Sequence, residues 1–105
     1  MEKIIFENDV LEYFDDLVFT LFKEEYFGYA ESAQKYTDKI VAFIILSIST
    51  FPHKKTPRTI QYLGSNYIFY KANTRTTWYV FFEKSNQNYL ITGIINNYCS
   101  EAKEL

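Results

Sequence analysis

One run of residues sets the architecture of this chain: Thr76-Thr77-Trp78-Tyr79-Val80-Phe81-Phe82-Glu83. Successive side chains of a strand point to opposite faces, so Trp78, Val80 and Phe82 share one face and the residues between them share the other. The run therefore predicts a strand with one face against helices and the other partly wet.

Two similar runs flank this strand, at residues 67–72 and 89–96. The segments between them, residues 73–75 and 84–88, are rich in Asn and suit hairpin connections. Adjacent strands joined by short turns pair antiparallel. A short β-branched and aromatic run at residues 3–7 predicts an opening strand.

Two amphipathic helices are predicted before Pro52, one from Asp9 to about Lys23 and one from about Ala30. Tyr26-Phe27-Gly28 breaks the chain between them, and so short a break favours an antiparallel hairpin. The expected apolar stripes, at spacings of three and four, are Leu11, Phe14, Val18, Leu21 and Phe22, then Ala33, Tyr36, Ile40, Phe43, Ile44 and Ile48.

The predicted fold class is α+β, in the order β-α-α-β-β-β. An N-terminal strand is followed by an antiparallel two-helix hairpin, which packs on one face of a small, mainly antiparallel sheet. At 105 residues the chain has room for one core, so residues 1–105 are expected to form a single domain. Residues 53–58 are expected to be a basic loop, and residues 100–105 to add a helical turn.

Composition excludes several function classes. The longest apolar run, residues 40–46, is too short to span a bilayer, and no membrane partner is expected. A single cysteine, Cys99, fits a reducing cytoplasm and is more often a small hydrophobe than a nucleophile. No metal-ligand set and no glycine-rich phosphate loop is present, so neither a metal nor a cofactor is expected.

Charge is segregated along the chain. Residues 1–38 carry ten acids and three bases, whereas residues 39–82 carry six bases and no acid. Affinity for a polyanion follows the local field, so a phosphate-binding surface is compatible with a net charge of −2. The competing interpretation is that the acids only line solvated helix faces.

Four stretches, in order, resemble the RelE/ParE superfamily, the toxin halves of bacterial toxin–antitoxin (plasmid stabilisation) modules. They are Glu31-Ser32-Ala33-Gln34-Lys35-Tyr36, Tyr67-Ile68-Phe69-Tyr70-Lys71, Arg75-Thr76-Thr77-Trp78-Tyr79-Val80-Phe81-Phe82 and Leu90-Ile91-Thr92-Gly93-Ile94-Ile95-Asn96-Asn97-Tyr98. The resemblance implies a toxin neutralised by a cognate antitoxin laid across its sheet and groove. Its leading implication is a metal-independent endoribonuclease that cleaves mRNA on the ribosome. The alternatives are a toxin that blocks DNA gyrase, and a non-toxic protein-binding module of the same shape.

The resemblance also implies a site. Arg58 and Arg75 are expected to stabilise the phosphate and Tyr98 to transfer a proton or stack on a base. Four further residues are expected to bind substrate: Lys54, Lys55, Lys71 and Asn97. These roles have competing structural explanations. Paired lysines in a loop are often only solvated, an Arg in a turn serves solubility, and a Tyr at the end of a strand can simply cap the sheet. Two features of this sequence depart from the pattern of the nuclease branch. The net charge is acidic, and Asn97 stands where a His is frequent in the family.

Overall fold

The computed structural model describes residues 3–23 and 30–105, and the predicted break at Tyr26-Phe27-Gly28 lies outside them. Within these residues five strands form one sheet in the order β1-β5-β4-β3-β2. The strands are β1 (Lys3–Phe6), β2 (Lys54–Lys55), β3 (Asn66–Lys71), β4 (Thr77–Ser85) and β5 (Asn88–Asn96). β1 runs parallel to β5, and the other neighbours are antiparallel. The predicted α+β class and the four predicted strands are confirmed.

Among the described residues, the predicted basic loop differs in part from the prediction. It contains β2, a two-residue edge strand in which Lys54 pairs with Tyr67 and Lys55 with Asn66. Lysine has low strand propensity and two residues show no period. This strand therefore exists because β3 offers it a hydrogen-bonding edge, a long-range cause that the local sequence does not show.

The helices α1 (Asn8–Lys23) and α2 (Ala30–Ser47) form the antiparallel pair that covers one face of the sheet. The predicted stripe of α2 is confirmed, since Ala33, Ile40, Ile44 and Ile48 are fully buried. They pack with the inward residues of the sheet, among them Ile68, Trp78, Val80, Phe82 and Ile91. Neither described helix is both long enough and apolar enough to cross a membrane.

The predicted stripe of α1 is confirmed at Phe14 and wrong at Leu11, and the predicted Leu21 and Phe22 lie outside the side chains that the structure describes. Leu11 is 47% exposed, while Val10 and Phe14 are buried and Leu17 packs against them. Only Glu7 separates β1 from α1, and its carbonyl accepts hydrogen bonds from the Val10 and Leu11 N–H groups at 3.0 and 3.1 Å. This tight junction sets the rotation of the helix, which periodicity alone does not determine.

Two 3₁₀ segments, Arg58–Leu63 and Ser100–Glu104, partly cover the opposite face of the sheet. Ile60 of the first segment packs with Tyr67, Phe81 and Ile95 in a second, smaller core. The face predicted to be partly wet is therefore buried at Phe81 and partly exposed at Tyr79 of β4. The second segment is the helical turn expected near the C-terminal end.

Gly64 lets the first 3₁₀ segment approach the sheet closely. Its φ of 153° is unfavourable for other residues, and a Cβ there would lie 2.9 Å from the Phe82 nitrogen. The approach occurs at a β-bulge between β4 and β5, where the Thr92 hydroxyl donates to the Leu63 carbonyl at 2.6 Å. The bulge and the glycine together fix the loop on this face.

Ile44→Ala should lower the free energy of unfolding by about 2–5 kcal/mol, because it leaves a cavity between α2 and the sheet. The neighbouring Ile45 is 52% exposed, so Ile45→Ala should change it by roughly 0.5 kcal/mol or less. Urea unfolding of both variants measures the difference. Equal losses would contradict the placement of the helix.

Tyr13→Phe should make the free energy of unfolding fall less steeply as the pH rises above 10. Burial, and then the nearby Cys99 and Tyr36, raise the pKa of Tyr13 from 10.0 to about 12. The folded protein therefore keeps this proton above pH 10, where the unfolded chain releases it. Stability is complete below pH 10 and falls as the pH rises towards 12, by up to about 1.4 kcal/mol per pH unit for one group. Urea midpoints measured from pH 8 to 11 should fall less in the variant; parallel profiles would contradict this assignment.

Candidate functional site

A groove of about 250 Å³ lies on the face of the sheet opposite the helices. Strands β2, β3 and β4 supply most of its walls, and the end of the second 3₁₀ segment closes one side. Its lining residues are Lys54, Tyr67, Phe69, Lys71, Thr77, Tyr79 and Leu105.

Strand register brings these side chains together. Tyr67, Phe69 and Lys71 alternate along β3 and so share one face. Phe69 pairs with Tyr79 and Lys71 with Thr77 across the β3–β4 ladder. Lys54 pairs with Tyr67 from the other side, so β2 places a cation at the groove edge.

The groove is cationic. None of its lining side chains is acidic, and neither Lys54 nor Lys71 forms an ion pair within the described part of the chain. The Lys54 Nζ lies 5.9 Å from the centroid of the Phe69 ring, a cation–π contact that holds it over the groove wall. The groove is therefore suited to an anionic ligand.

Tyr67 forms part of the groove floor. Its side chain is only 8% exposed, and burial, with a smaller effect of Tyr79, raises its pKa above 10.0. The phenol therefore stays protonated at neutral pH and acts as a hydrogen-bond donor. It is accordingly unsuited to serve as a general base.

A hydrogen-bonded clamp holds the backbone of Arg75 at the end of the groove. The Asn73 Oδ1 accepts from the Arg75 N–H at 2.8 Å and from the Thr76 N–H at 2.9 Å. The Arg75 carbonyl accepts from the Asn97 Nδ2 and from the Tyr98 hydroxyl, both at 3.0 Å. The turn is thus fixed from both sides, while the exposed Arg75 side chain is left out of these bonds.

Thr77 joins the groove to the Arg75 clamp. It lines the groove, and its N–H donates to the Asn97 Oδ1 at 2.9 Å while its carbonyl accepts from the Asn97 N–H at 3.0 Å. The two features therefore form one continuous surface along the β3–β4 hairpin.

Five of the seven predicted site residues lie on this surface, namely Lys54, Lys71, Arg75, Asn97 and Tyr98. Lys55 follows Lys54 on a strand and so lies on the opposite side of it. Arg58 begins the first 3₁₀ segment, is exposed, and does not line the groove. Their predicted roles in phosphate binding remain predictions.

Three other ring side chains, outside this surface, are used in packing on the helix side. The His53 ring lies 4.9 Å from Phe82, and its Nε2 is hydrogen-bonded to the Ile48 carbonyl. Tyr70 packs on Phe43, and the Trp78 Nε1 donates to the Tyr36 hydroxyl at 2.9 Å. Tyr70 and Trp78 therefore belong to the main core.

The residues that sequence reasoning missed are the aromatic ones of the floor, Tyr67, Phe69 and Tyr79. For Tyr79 the signal was present, because it alternates with Trp78 and Val80, which the sequence places on the other face of the strand. Leu105 carried no such signal, since only tertiary packing brings it to the groove.

No protein-family model, no curated protein and no solved structure matches this chain. Within residues 3–23 and 30–105, no three His, Cys, Asp or Glu side chains gather in a way that could hold a metal ion. The resemblance to RelE/ParE toxins therefore remains a prediction, and the groove and the Arg75 clamp carry the functional argument.

Asn97→Ala should release the Thr77 amide, because its acceptor is lost while Tyr98 still satisfies the Arg75 carbonyl. We expect faster amide exchange at Thr77 and a loss of about 0.5–1.5 kcal/mol per hydrogen bond removed. Tyr98→Phe should leave the Thr77 amide protected. Hydrogen exchange by NMR, with Asn88→Ala at the other end of β5 as the control, separates the two. An unchanged Thr77 rate in Asn97→Ala would contradict the clamp.

Proposed function

We propose that this protein is the toxin of a bacterial type II toxin–antitoxin module of the RelE/ParE kind. It acts in the cytoplasm, cleaves mRNA on the ribosome and is neutralised by a cognate antitoxin. The observation that carries the proposal is the continuous cationic surface from Lys54 through Lys71 to Arg75 and Tyr98, on the face of the sheet away from the helices.

The reaction needs positive charge at one phosphate and a proton donor beside it. The ribose 2′ oxygen attacks the adjacent phosphorus, its proton passes to a base, and the P–O5′ bond breaks to leave a cyclic phosphate and a 5′ hydroxyl. Charge increases on the phosphoryl oxygens during this step. A guanidinium and an ammonium stabilise that charge, which makes Arg75 and Lys71 the phosphate-facing pair.

Tyr98 is the proton donor to the leaving oxygen in this proposal. Its side chain is 69% exposed, and its hydroxyl now donates to the Arg75 carbonyl. Asn97 donates to the same carbonyl, so Tyr98 can turn to a substrate without leaving that oxygen unpaired. Asn97 is accordingly a positioning residue.

The test is induction of the chain in a bacterial host, followed by mapping of transcript ends in the first minutes. We expect cuts on translated messages, spaced by codons. Arg75→Ala should reduce cutting about 10²–10³-fold, the usual cost of one preorganised donor. Because the clamp uses the Arg75 backbone, this variant removes the guanidinium and keeps the turn.

Tyr98→Phe preserves the ring, removes the hydroxyl and should also reduce cutting. Lys103→Ala removes an exposed cation of the second 3₁₀ segment and is the matched control for Arg75→Ala. DNA-damage signalling with intact transcripts would contradict the nuclease and support a gyrase-blocking toxin. Normal growth at full expression would contradict both.

A further inference from the structure

The groove holds an aromatic floor between its two cations, a feature that phosphate binding alone does not require. Tyr67, Phe69 and Tyr79 lie side by side on β3 and β4, with the Lys54 ammonium over Phe69 and Lys71 two residues further along β3. Aromatic rings between cations are the arrangement that binds single-stranded nucleic acid, because bases stack on rings and phosphates meet ammonium groups.

The rings are held in place before any ligand arrives. Tyr67 and Tyr79 meet edge to face, with centroids 6.0 Å apart and planes at 69°. Phe69 is in edge-to-face contact with Phe51, with ring centroids 5.1 Å apart and ring planes at 88°. Phe69 and Tyr79 remain partly exposed. A ligand therefore finds fixed aromatic surface, and little side-chain entropy is lost on binding.

The dimensions fit one nucleotide. The volume of about 250 Å³ lies below the roughly 300–1,000 Å³ usual for small-molecule pockets. This volume suits one base with its sugar and is too small for a longer stretch.

Two hydroxyls add polar contacts at the floor. The Tyr67 ring is buried, but its hydroxyl oxygen reaches solvent and has no hydrogen-bond partner within the described residues. Thr77 offers a second hydroxyl at the Lys71 end. An acceptor oxygen on a ligand replaces water at the Tyr67 hydroxyl.

We propose that the groove is a single-nucleotide subsite for RNA. In this assignment the base lies on Tyr79, beside the Phe69 ring that Lys54 covers, and the Tyr67 hydroxyl donates to an acceptor on the nucleotide. Lys54 and Lys71 contact the phosphates on its two sides. Stacking dominates over base-edge contacts, so the subsite accepts any base. The inference rests on the proposed function for its natural substrate, and it adds which residues hold the nucleotide beside the cleaved phosphate.

An acidic peptide is the other ligand with negative charge. Such a segment would use the two lysines but has no need of the ring faces of Phe69 and Tyr79. The floor thus favours a nucleotide, and the two ligands predict different variant effects.

The experiment titrates the isolated protein with a 2′-O-methyluridine trinucleotide, which lacks the attacking hydroxyl, by calorimetry and by ¹⁵N NMR. We expect saturable binding with shifts of the Phe69, Thr77 and Tyr79 amides. Tyr79→Leu keeps an apolar side chain and removes the ring, and should weaken binding roughly tenfold or more. Phe19→Leu, which replaces an exposed ring of α1 outside the groove, should bind as the parent protein does.

Three results would overturn the subsite: no trinucleotide binding, equal affinity in Tyr79→Leu and the parent, or equal binding of inorganic phosphate. Binding of an acidic heptapeptide in place of the trinucleotide would also overturn it and make the groove a peptide site. Tyr79-dependent binding by a protein that leaves cellular transcripts intact would support the subsite and contradict the nuclease. Transcript cutting without such binding would support the nuclease and contradict the subsite.

Discussion

The alternation of side chains along β4 is the constraint on which the rest of the structure depends. β4 pairs with β3 on one side and with β5 on the other, so its register sets which residues of three strands face the helices. Trp78 and Val80 turn inward, whereas Thr77 and Tyr79 turn to the groove. A slip of one residue would exchange the two sets, placing the groove residues in the core and exposing the core. The same alternation therefore builds the core and the groove.

The elements whose signal is local could be predicted from the sequence. Strand ends fall within two residues of those expected, because a period of two and polar turns are properties of neighbouring residues. Features made by distant contacts could not. The rotation of α1 follows from its junction at Glu7, β2 exists only against β3, and the second core depends on Ile60 meeting Phe81.

The same distinction applies to the candidate site. The absence of acids from residues 39–82 pointed to the basic groups, and two of them, Lys54 and Lys71, do share the groove. Lys55 illustrates the limit of that reasoning. Assigned to a loop, it had no predictable side, and only its pairing with Asn66 places it on the side of β2 away from Lys54. Composition identifies the charges, and pairing decides which of them act together.

The net acidic charge is compatible with a polyanion ligand once the charges are placed in space. The acids of α1, such as Glu12, Asp15 and Asp16, are exposed on helices that cover the opposite face of the sheet. A helix with its side chains is about 10–12 Å across, whereas the Debye length is about 8 Å at physiological ionic strength. Repulsion from these acids is therefore largely screened at the groove. Two carboxylates of the second 3₁₀ segment, Glu101 and Glu104, accept hydrogen bonds from Tyr62 and Thr59 at 3.4 and 3.1 Å. These bonds hold both acids at the contact between the two 3₁₀ segments, and neither acid lines the groove. The local field of Lys54 and Lys71, more than the total charge of −2, then governs which ligand the groove attracts.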